Sequence, residues 1–591
     1  MWTTLFSVAA GLASLPLTHA FNNPPGVDIW CGKAYRASNT SFNPGGWFEH
    51  PSYSSTPLLD LKVRPRMSIY LETDASGSLL VDTTVSHLVG DPLPAKPNTN
   101  YTDQHLHLDI HILSNETPIA SITNYTLPLN TSKAEIPLSF DGLAPKLTPY
   151  TITTTATLIS SITNTTFTTT SELFYLLQRT DGGSATRIDH RTGMLSYIQD
   201  QSVTWTPIFP YTYYGTSPIP YTSPHTQSNP KQAQWSLYWD TNTSTLESFT
   251  SQGYNVIHIV PTGTLSDTPF PWSTFDPYLT TSDKQNLHLQ YDVLFDPTNL
   301  TKLTDQVTHI HTHPSLLLYY TADEPDGKGN PLNSTRLAYD LIRSMDPYHP
   351  VSLALNCKDF YYEEYASGAD IILSDVYPVA TNTSWSTVYD TPCNATYGCC
   401  GCDDCRGEFE DISDRLDQFY EFDAVVGWEK VHWGAPQAFG EETFWTRYPT
   451  AAEEVVMVML SVNHGAMGIV MWDYPSSDGI ERVTRELAPV VTGEVFVGFL
   501  EEGVKRVGVV KGTGRVDVAW WVVEEEGRAL MSVVNLNYWG TGEVRVGLEG
   551  VKVAGVEKVL WGGEGWDVKD GELVSEGFGG LEVGILVVDL G

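Results

Sequence analysis

Leu316-Leu-Leu-Tyr-Tyr-Thr-Ala-Asp323-Glu324-Pro325-Asp326-Gly327 is a run of apolar, aromatic and small residues that stops at two carboxylates and a proline. A run this short, bounded by turn residues, reads as a buried β-strand. Pro325 has no N–H to give, so the ladder ends there. Asp, Pro and Gly also make ordinary solvated turns. The place of this run in the chain decides between the two readings.

From about 200 to 485, buried apolar runs alternate with helix-length amphipathic segments. This rhythm is that of βα units around a parallel sheet. The expected strands are Trp205 to Tyr214, Tyr254 to Pro261, Leu287 to Phe295, Leu316 to Asp323, Val351 to Asn356, Ala369 to Asp375, Ala435 to Phe439 and Gly468 to Asp473. Thr243 to Gln252, Leu300 to Thr312, Ser334 to Asp346 and Thr450 to Asn463 are expected helices. Eight such units fit a (β/α)8 barrel, which takes about 250 residues. A doubly wound open sheet would carry a Gly-rich phosphate loop after its first strand, and none is present. Barrels of this kind place their chemistry at the C-terminal strand ends, so the carboxylates closing the fourth run are the first candidates.

Outside this region the pattern becomes strand-like. His105-Leu-His-Leu-Asp-Ile-His-Ile-Leu and Tyr150-Thr-Ile-Thr-Thr-Thr-Ala-Thr-Leu alternate with period two, and Thr151 to Thr170 reads as a strand pair rather than an O-glycosylated linker. After Pro489 no proline remains, and Val-rich runs such as Val516-Asp-Val-Ala-Trp-Trp-Val-Val imply another set of strands. The expected layout is a leader over 1–20, an N-terminal β-sandwich over 21–195, the barrel over 196–488 and a C-terminal β-sandwich over 489–591.

Composition narrows the partners. The 591 residues carry a formal charge of −37, with 41% hydrophobic and 17% charged side chains. A chain this acidic repels phosphate backbones, so nucleic acid is excluded as an expected partner. No apolar run beyond the N-terminus reaches the roughly 20 residues of a membrane helix. Leu5 to Leu17, followed by Thr18-His19-Ala20, reads as a secretory signal, and eleven Asn-x-Ser/Thr sequons between Asn39 and Asn394 agree with export to a secreted, glycosylated state. Five of the seven cysteines crowd into Cys393 to Cys405. In an oxidising compartment that cluster favours disulfides over zinc, with one thiol left over. No cofactor or metal is expected, and oligomeric state is not legible.

Asp323-Glu324-Pro325 resembles the Asn-Glu-Pro or Asp-Glu-Pro signature ending strand four in the superfamily of retaining β/α-barrel glycoside hydrolases. Ser374-Asp-Val-Tyr-Pro378, Pro436-Gln-Ala-Phe-Gly440 and Asn463-His-Gly-Ala-Met-Gly-Ile469 are similar to stretches of uncharacterised secreted hydrolase-like proteins. The resemblance implies cleavage of glycosidic bonds, with Glu324 as general acid/base and a nucleophile glutamate ending strand seven. Glu442, and next to it Glu441, are the candidates there, displaced beyond Gly440. Such chemistry needs two carboxyl groups, one protonated and one ionised. Asp375 and Asp473 are alternative second carboxylates. Asp323, Tyr377, Gln437, Tyr214, Trp445 and Trp472 are expected to meet a carbohydrate substrate, with Tyr213, Trp235, Trp239 and Trp272 as further aromatics near the mouth. Flat rings suit the C–H faces of sugars, although each alone is more often core packing. His309-Ile-His-Thr-His313 and His464 are read as structural. The rival reading is a non-catalytic carbohydrate-binding or cell-wall protein on a degenerate barrel.

Overall fold

The protein is seen in a computed structural model that describes residues 27–39, 44–94, 104–159, 164–199, 202–215, 244–259, 272–293, 299–427, 430–512, 514–562 and 565–591. The expected leader, Trp235, Trp239 and the sequons at Asn100 and Asn242 lie outside these residues.

Eight parallel strands close into a barrel in chain order: Tyr211–Gly215, Val256–Ile259, His288–Asp292, Leu316–Asp323, Val351–Leu355, Ile371–Ser374, Val431–Gly434 and Ile469–Tyr474. Closure comes where Tyr211 faces Ile469 and Tyr213 faces Met471. These strands are buried on both faces, which is why they read as continuous apolar runs rather than as alternation. A helix follows each: Ser244–Ser251, Trp272–Gln285, Leu300–Ile310, Ser334–Met345, Tyr362–Ala366, Glu410–Val426, Ala451–Asn463 and Asp478–Val491. The seventh starts on a capping box between Thr450 and Glu453 and is buried nearly all round. An all-apolar helix needs cover on every side. Here the barrel packs on one side and strands of the C-terminal domain on the other.

Two expected strands differ in substance. Thr206–Ile208 belongs to a three-stranded sheet with Ala185–Ile188 and Leu195–Ile198, so the first barrel strand starts only at Tyr211. Ala435 to Phe439 is not strand seven; it is the loop beyond Gly434. Pro436 explains the difference, since a central strand cannot lose a ladder donor.

The N-terminal sandwich packs the sheet Asp91–Pro92, Leu58–Pro65, Gly77–Ser86, Ala134–Leu138 on the sheet Thr165–Leu173, Tyr150–Leu158, His105–Ser114, Thr117–Pro128. Tyr150–Leu158 and Thr165–Leu173 pair residue for residue, and the Ile, Ala and Leu of the first point inward between outward threonines. The C-terminal sandwich begins at Val504 and joins a five-stranded to a four-stranded sheet around Trp520, Val522, Val546 and Leu573.

Two boundaries move. Position 195/196 falls inside the three-stranded sheet, whose Ile188, Leu195 and Ile208 join the barrel core. Position 488/489 falls inside the helix Asp478–Val491, where Pro489 is tolerated in the last turn while Leu487, Ala488 and Val491 stay buried. Residues 28–39 and 44–50 stand outside the sandwich. The hairpin Ile29–Trp30/Lys33–Ala34 is joined to the end of barrel strand five by a Cys31–Cys357 disulfide, and Phe48 stacks on Phe422. Cys393–Cys400 and Cys402–Cys405 are also bonded, leaving Cys399 as the odd thiol.

Glu454 is fully buried in the seventh helix, and neither carboxyl oxygen has a hydrogen-bond partner among the described residues. Burial, followed by the charge of Glu453, pushes its carboxyl well above the ordinary 4.5. The folded chain therefore keeps a proton that the unfolded chain releases, so the contribution of this group to stability is fully present below about pH 4.5 and is lost as pH rises. Glu454→Leu is expected to flatten that slope and to add about 1 to 3 kcal/mol at pH 8; thermal unfolding of both chains at pH 5 and pH 8 measures it.

Candidate active site

All eight strands run the same way around a closed barrel, so their C-terminal ends meet at one mouth. That mouth receives Tyr214, His258, Asp292, Asp323 with Glu324, Asn356, Asp375 with Tyr377, and Trp472 with Asp473 from strands one, two, three, four, five, six and eight. The centre of the group is strand four. Its register against strand five shifts between Tyr320 and Asp323, and Glu324 follows in the left-handed region at φ 48° with its N–H donating to the Ala354 carbonyl. A left-handed glutamate costs about 1 kcal/mol, and such positions cluster where a side chain is aimed for use.

Asp323 is tied down. Its Oδ1 accepts from the Tyr320 hydroxyl at 2.9 Å and its Oδ2 from Lys328 Nζ at 2.7 Å. Burial opposes its charge, but Lys328, Tyr320 and His258 hold the carboxyl below its ordinary value. Glu324 is driven the other way. Burial first and the Asp323 charge second push it up to about 8, with Asp326 adding to the effect and Lys328 and Asn356 opposing it. Adjacent carboxyls in one chain thus hold opposite protonation at neutral pH, the separation that acid/base pairs require.

The supporting shell comes from further away. Asp326 is buried and accepts from the backbone N–H of Gly327 at 2.8 Å and of Cys357 at 2.8 Å, which locks the turn after strand four to the end of strand five. Burial pushes its carboxyl up to about 6. Asn356 faces Glu324, its Oδ1 accepting from Trp30 Nε1 at 2.8 Å and its Nδ2 donating to the Asp375 carbonyl at 3.3 Å. Trp30 lies so close to Gly327 that a Cβ there would come within 2.5 Å of the indole, so only glycine fits. The N-terminal hairpin is therefore part of the wall.

Asp375 is buried just past the end of strand six, and burial, then the charge of Glu324, raises it well above the carboxylate range. Tyr377 lies in the same acidic field: burial, then Asp375, Glu324, Asp323 and Asp473, all disfavour its phenolate. Its hydroxyl is a proton donor at any physiological pH. Across the mouth, the Tyr214 hydroxyl donates to Asp292 at 3.2 Å, and its ring sits 4.4 Å from Trp472 and 4.2 Å from His258.

Strand seven ends at Gly434 with no carboxylate. In the loop beyond it Glu441 is exposed, whereas Glu442 is partly buried, and burial pushes it up to about 6. Asp473 is buried, and burial followed by the Glu442 charge raises it well above the carboxylate range. Trp445 joins the wall, its Nε1 donating to the Tyr377 carbonyl at 3.0 Å and its ring packing 4.7 Å from Phe439.

Several expected residues are placed elsewhere. Gln437 is fully buried; its amide accepts from the Val379 N–H and donates to the carbonyls of Val379 and Phe439, so it braces two loops and has nothing left for a substrate. Tyr213 is core, bonded to Thr484, and Trp272 stacks on His309 against the outer helices. His309 pairs with Asp276, His313 with Asp283 and His311 with helix carbonyls, three separate partners rather than one centre. His464 closes the seventh helix and bridges Asp417 to Asp517 of the C-terminal domain. The residues the sequence reading passed over, His258, Asp292 and Asn356, are the polar residues at or near the ends of strands two, three and five. Inspecting every run's end as closely as the fourth would have found them. Trp30 has no such signal.

The chain matches no protein-family model, and no curated protein matches it. Among solved structures it is similar to a family 39 glycoside hydrolase from Bacteroides cellulosilyticus WH2, with 12% identity over 90% of this chain and 100% of that one at a TM-score of 0.39. It is also similar to a debranching enzyme from Nostoc punctiforme, with 11% identity over 64% and 97% at 0.41. A β-D-glucuronidase from Dictyoglomus thermophilum shows 11% identity over 74% and 68% at 0.29.

Because the Asp323 charge lifts Glu324, Asp323→Asn is expected to lower the Glu324 pKa from about 8 towards its ordinary 4.5. Carboxyl-carbon NMR titration of the two chains reads the shift directly; a Glu324 titration left in place would refute the assigned cause.

Proposed function

We propose that the protein is a secreted glycoside hydrolase acting on an extracellular poly- or oligosaccharide. The observation that carries this reading is Glu324, a carboxyl at the end of barrel strand four that burial and Asp323 keep protonated up to about pH 8. Glu324 gives its proton to the glycosidic oxygen as the bond to the anomeric carbon breaks. Glu442, at about 6, is ionised at neutral pH and serves as the partner that attacks that carbon or takes a proton from water. Asp375 and Asp473 are held neutral by burial and offer hydroxyl protons to the sugar, as does Tyr377. Tyr214, Trp472 and Trp445 supply flat surface.

Export rests on the sequence features together with the surface. All nine sequon asparagines among the described residues reach solvent, seven of them exposed.

One observation favours a second reading. The end of strand seven carries no carboxylate, and the Gln437 amide just beyond it is spent on backbone. On that reading the mouth binds saccharide without turnover.

A hydrolysis screen over a broad glycan panel separates the two. Wild type should release product, and Glu324→Gln should lower kcat by about 10³-fold while retaining substrate binding. Activity should follow a bell, falling below about pH 6 as Glu442 takes up a proton and above about pH 8 as Glu324 loses its own. Saccharide binding with no product from wild type at any pH would leave the binding reading.

A further inference from the structure

The face opposite the mouth holds a second cavity, of about 770 Å³, where the three domains meet. It lies under the starts of strands seven and eight, beside Lys430, Val431, Gly465 and Met467. That volume is within the range of small-molecule sites, roughly 300 to 1,000 Å³.

Its charge is the reverse of the protein's. The whole chain has 33 Lys and Arg against 70 Asp and Glu. The cavity is lined by Lys62, Lys133, Arg191, Lys430 and Lys505, against only Asp417 and Asp423. The wall groups are bonded among themselves: Asp423 accepts from the Tyr362 hydroxyl at 2.8 Å and pairs with His432 at 2.8 Å, Asp417 pairs with His464 of the same wall at 2.8 Å, Lys62 pairs with Asp60 at 3.0 Å, and Lys133 donates to the His190 and Arg191 carbonyls. His464 is itself held cationic, its pKa pushed up to about 9 against burial by Asp417 and Asp517.

The convergence of cations is felt by a neighbour. His190, on the cavity wall, is pushed down to about 3 by burial and then by Arg64, Lys133 and Lys430, with Asp370 opposing. Burial likewise lowers Lys430. Trp521 also lines the cavity, and its indole N–H has no acceptor among the described residues.

Five cations come from four separate parts of the chain: the N-terminal sandwich, the hairpin at 190–193, the start of strand seven and the first C-terminal strand. Folding brings them onto one wall, where Asp60, Asp370, Asp417, Asp423 and Asp517 offset part of their repulsion and an anion in the cavity would face all five. A cavity of about 770 Å³ lined by five cations has room and charge for more than one small anionic group. We propose that this interdomain cavity binds a polyanion, a small molecule bearing at least two phosphate, sulfate or carboxylate groups. The site is independent of the barrel mouth and of the reaction proposed there.

Calorimetric titration at low ionic strength tests it with three probes: inorganic phosphate, pyrophosphate and trigalacturonate. Wild type should bind pyrophosphate, trigalacturonate or both with submillimolar Kd, and inorganic phosphate at least tenfold more weakly. Pyrophosphate alone would mark a phosphorylated ligand and trigalacturonate alone an acidic saccharide. Arg191→Gln/Lys505→Gln should weaken binding at least tenfold with circular dichroism and thermal midpoint unchanged. If that double variant unfolds, Lys505→Gln alone, at an exposed position, should still weaken binding about threefold or more. No binding of either polyanion at millimolar concentration, binding of phosphate as tight as pyrophosphate, or equal affinity in the folded variant would overturn the proposal.

Discussion

Closure of the barrel, where Tyr211–Gly215 lies against Ile469–Tyr474, is the constraint on which everything else rests. Two strands more than 250 positions apart must pair in register before any strand end faces another. Once they do, parallel strands leave no choice about where their C-termini point. The side chains that stop each apolar run are then gathered at one rim, and their mutual electrostatics follow from the geometry.

That gathering is costly, because carboxyls that burial would each neutralise are placed within reach of one another. The cost is met locally and unequally. Lys328 and Tyr320 hold Asp323 as an anion, and its charge in turn keeps Glu324 protonated. Burial of Glu324, together with the Lys328 and Tyr320 bonds to Asp323, thus sets which of two neighbouring carboxyls is ionised. The same logic on the far side leaves Glu442 the more acidic of its pair with Asp473, since Glu442 meets burial alone while Asp473 meets burial and the Glu442 charge.

The appended domains act on the barrel and do not merely flank it. The N-terminal hairpin reaches the mouth through Cys31–Cys357 and sets Trp30 against Gly327 and Asn356. The C-terminal sandwich covers the apolar seventh helix and anchors it through His464 and Asn463 on Asp517. The boundaries expected from composition failed for this reason. Loss of proline after Pro489 marks a change in residue usage, but the helix around it is still packed on the barrel. The N-terminal residues share no composition with the barrel they complete.

Most of the fold was legible, because burial on two faces writes itself as an unbroken apolar run and burial on one face as alternation. Seven of the eight strands, the two sandwiches and the Asp323-Glu324 end came from that. Strand seven was misplaced since Ala435 to Phe439 is apolar enough for a strand, and only the ladder shows that Pro436 ends it. The sequence by itself determined where carboxylates terminate a buried strand and how the chain divides into βα and β-rich stretches, for these depend on local order. The tertiary structure alone decided which carboxyl holds its proton, that Gln437 is a brace, that Trp30 belongs to the mouth and that scattered lysines line one cavity. Those depend on burial and distance between residues hundreds of positions apart, which local order does not encode.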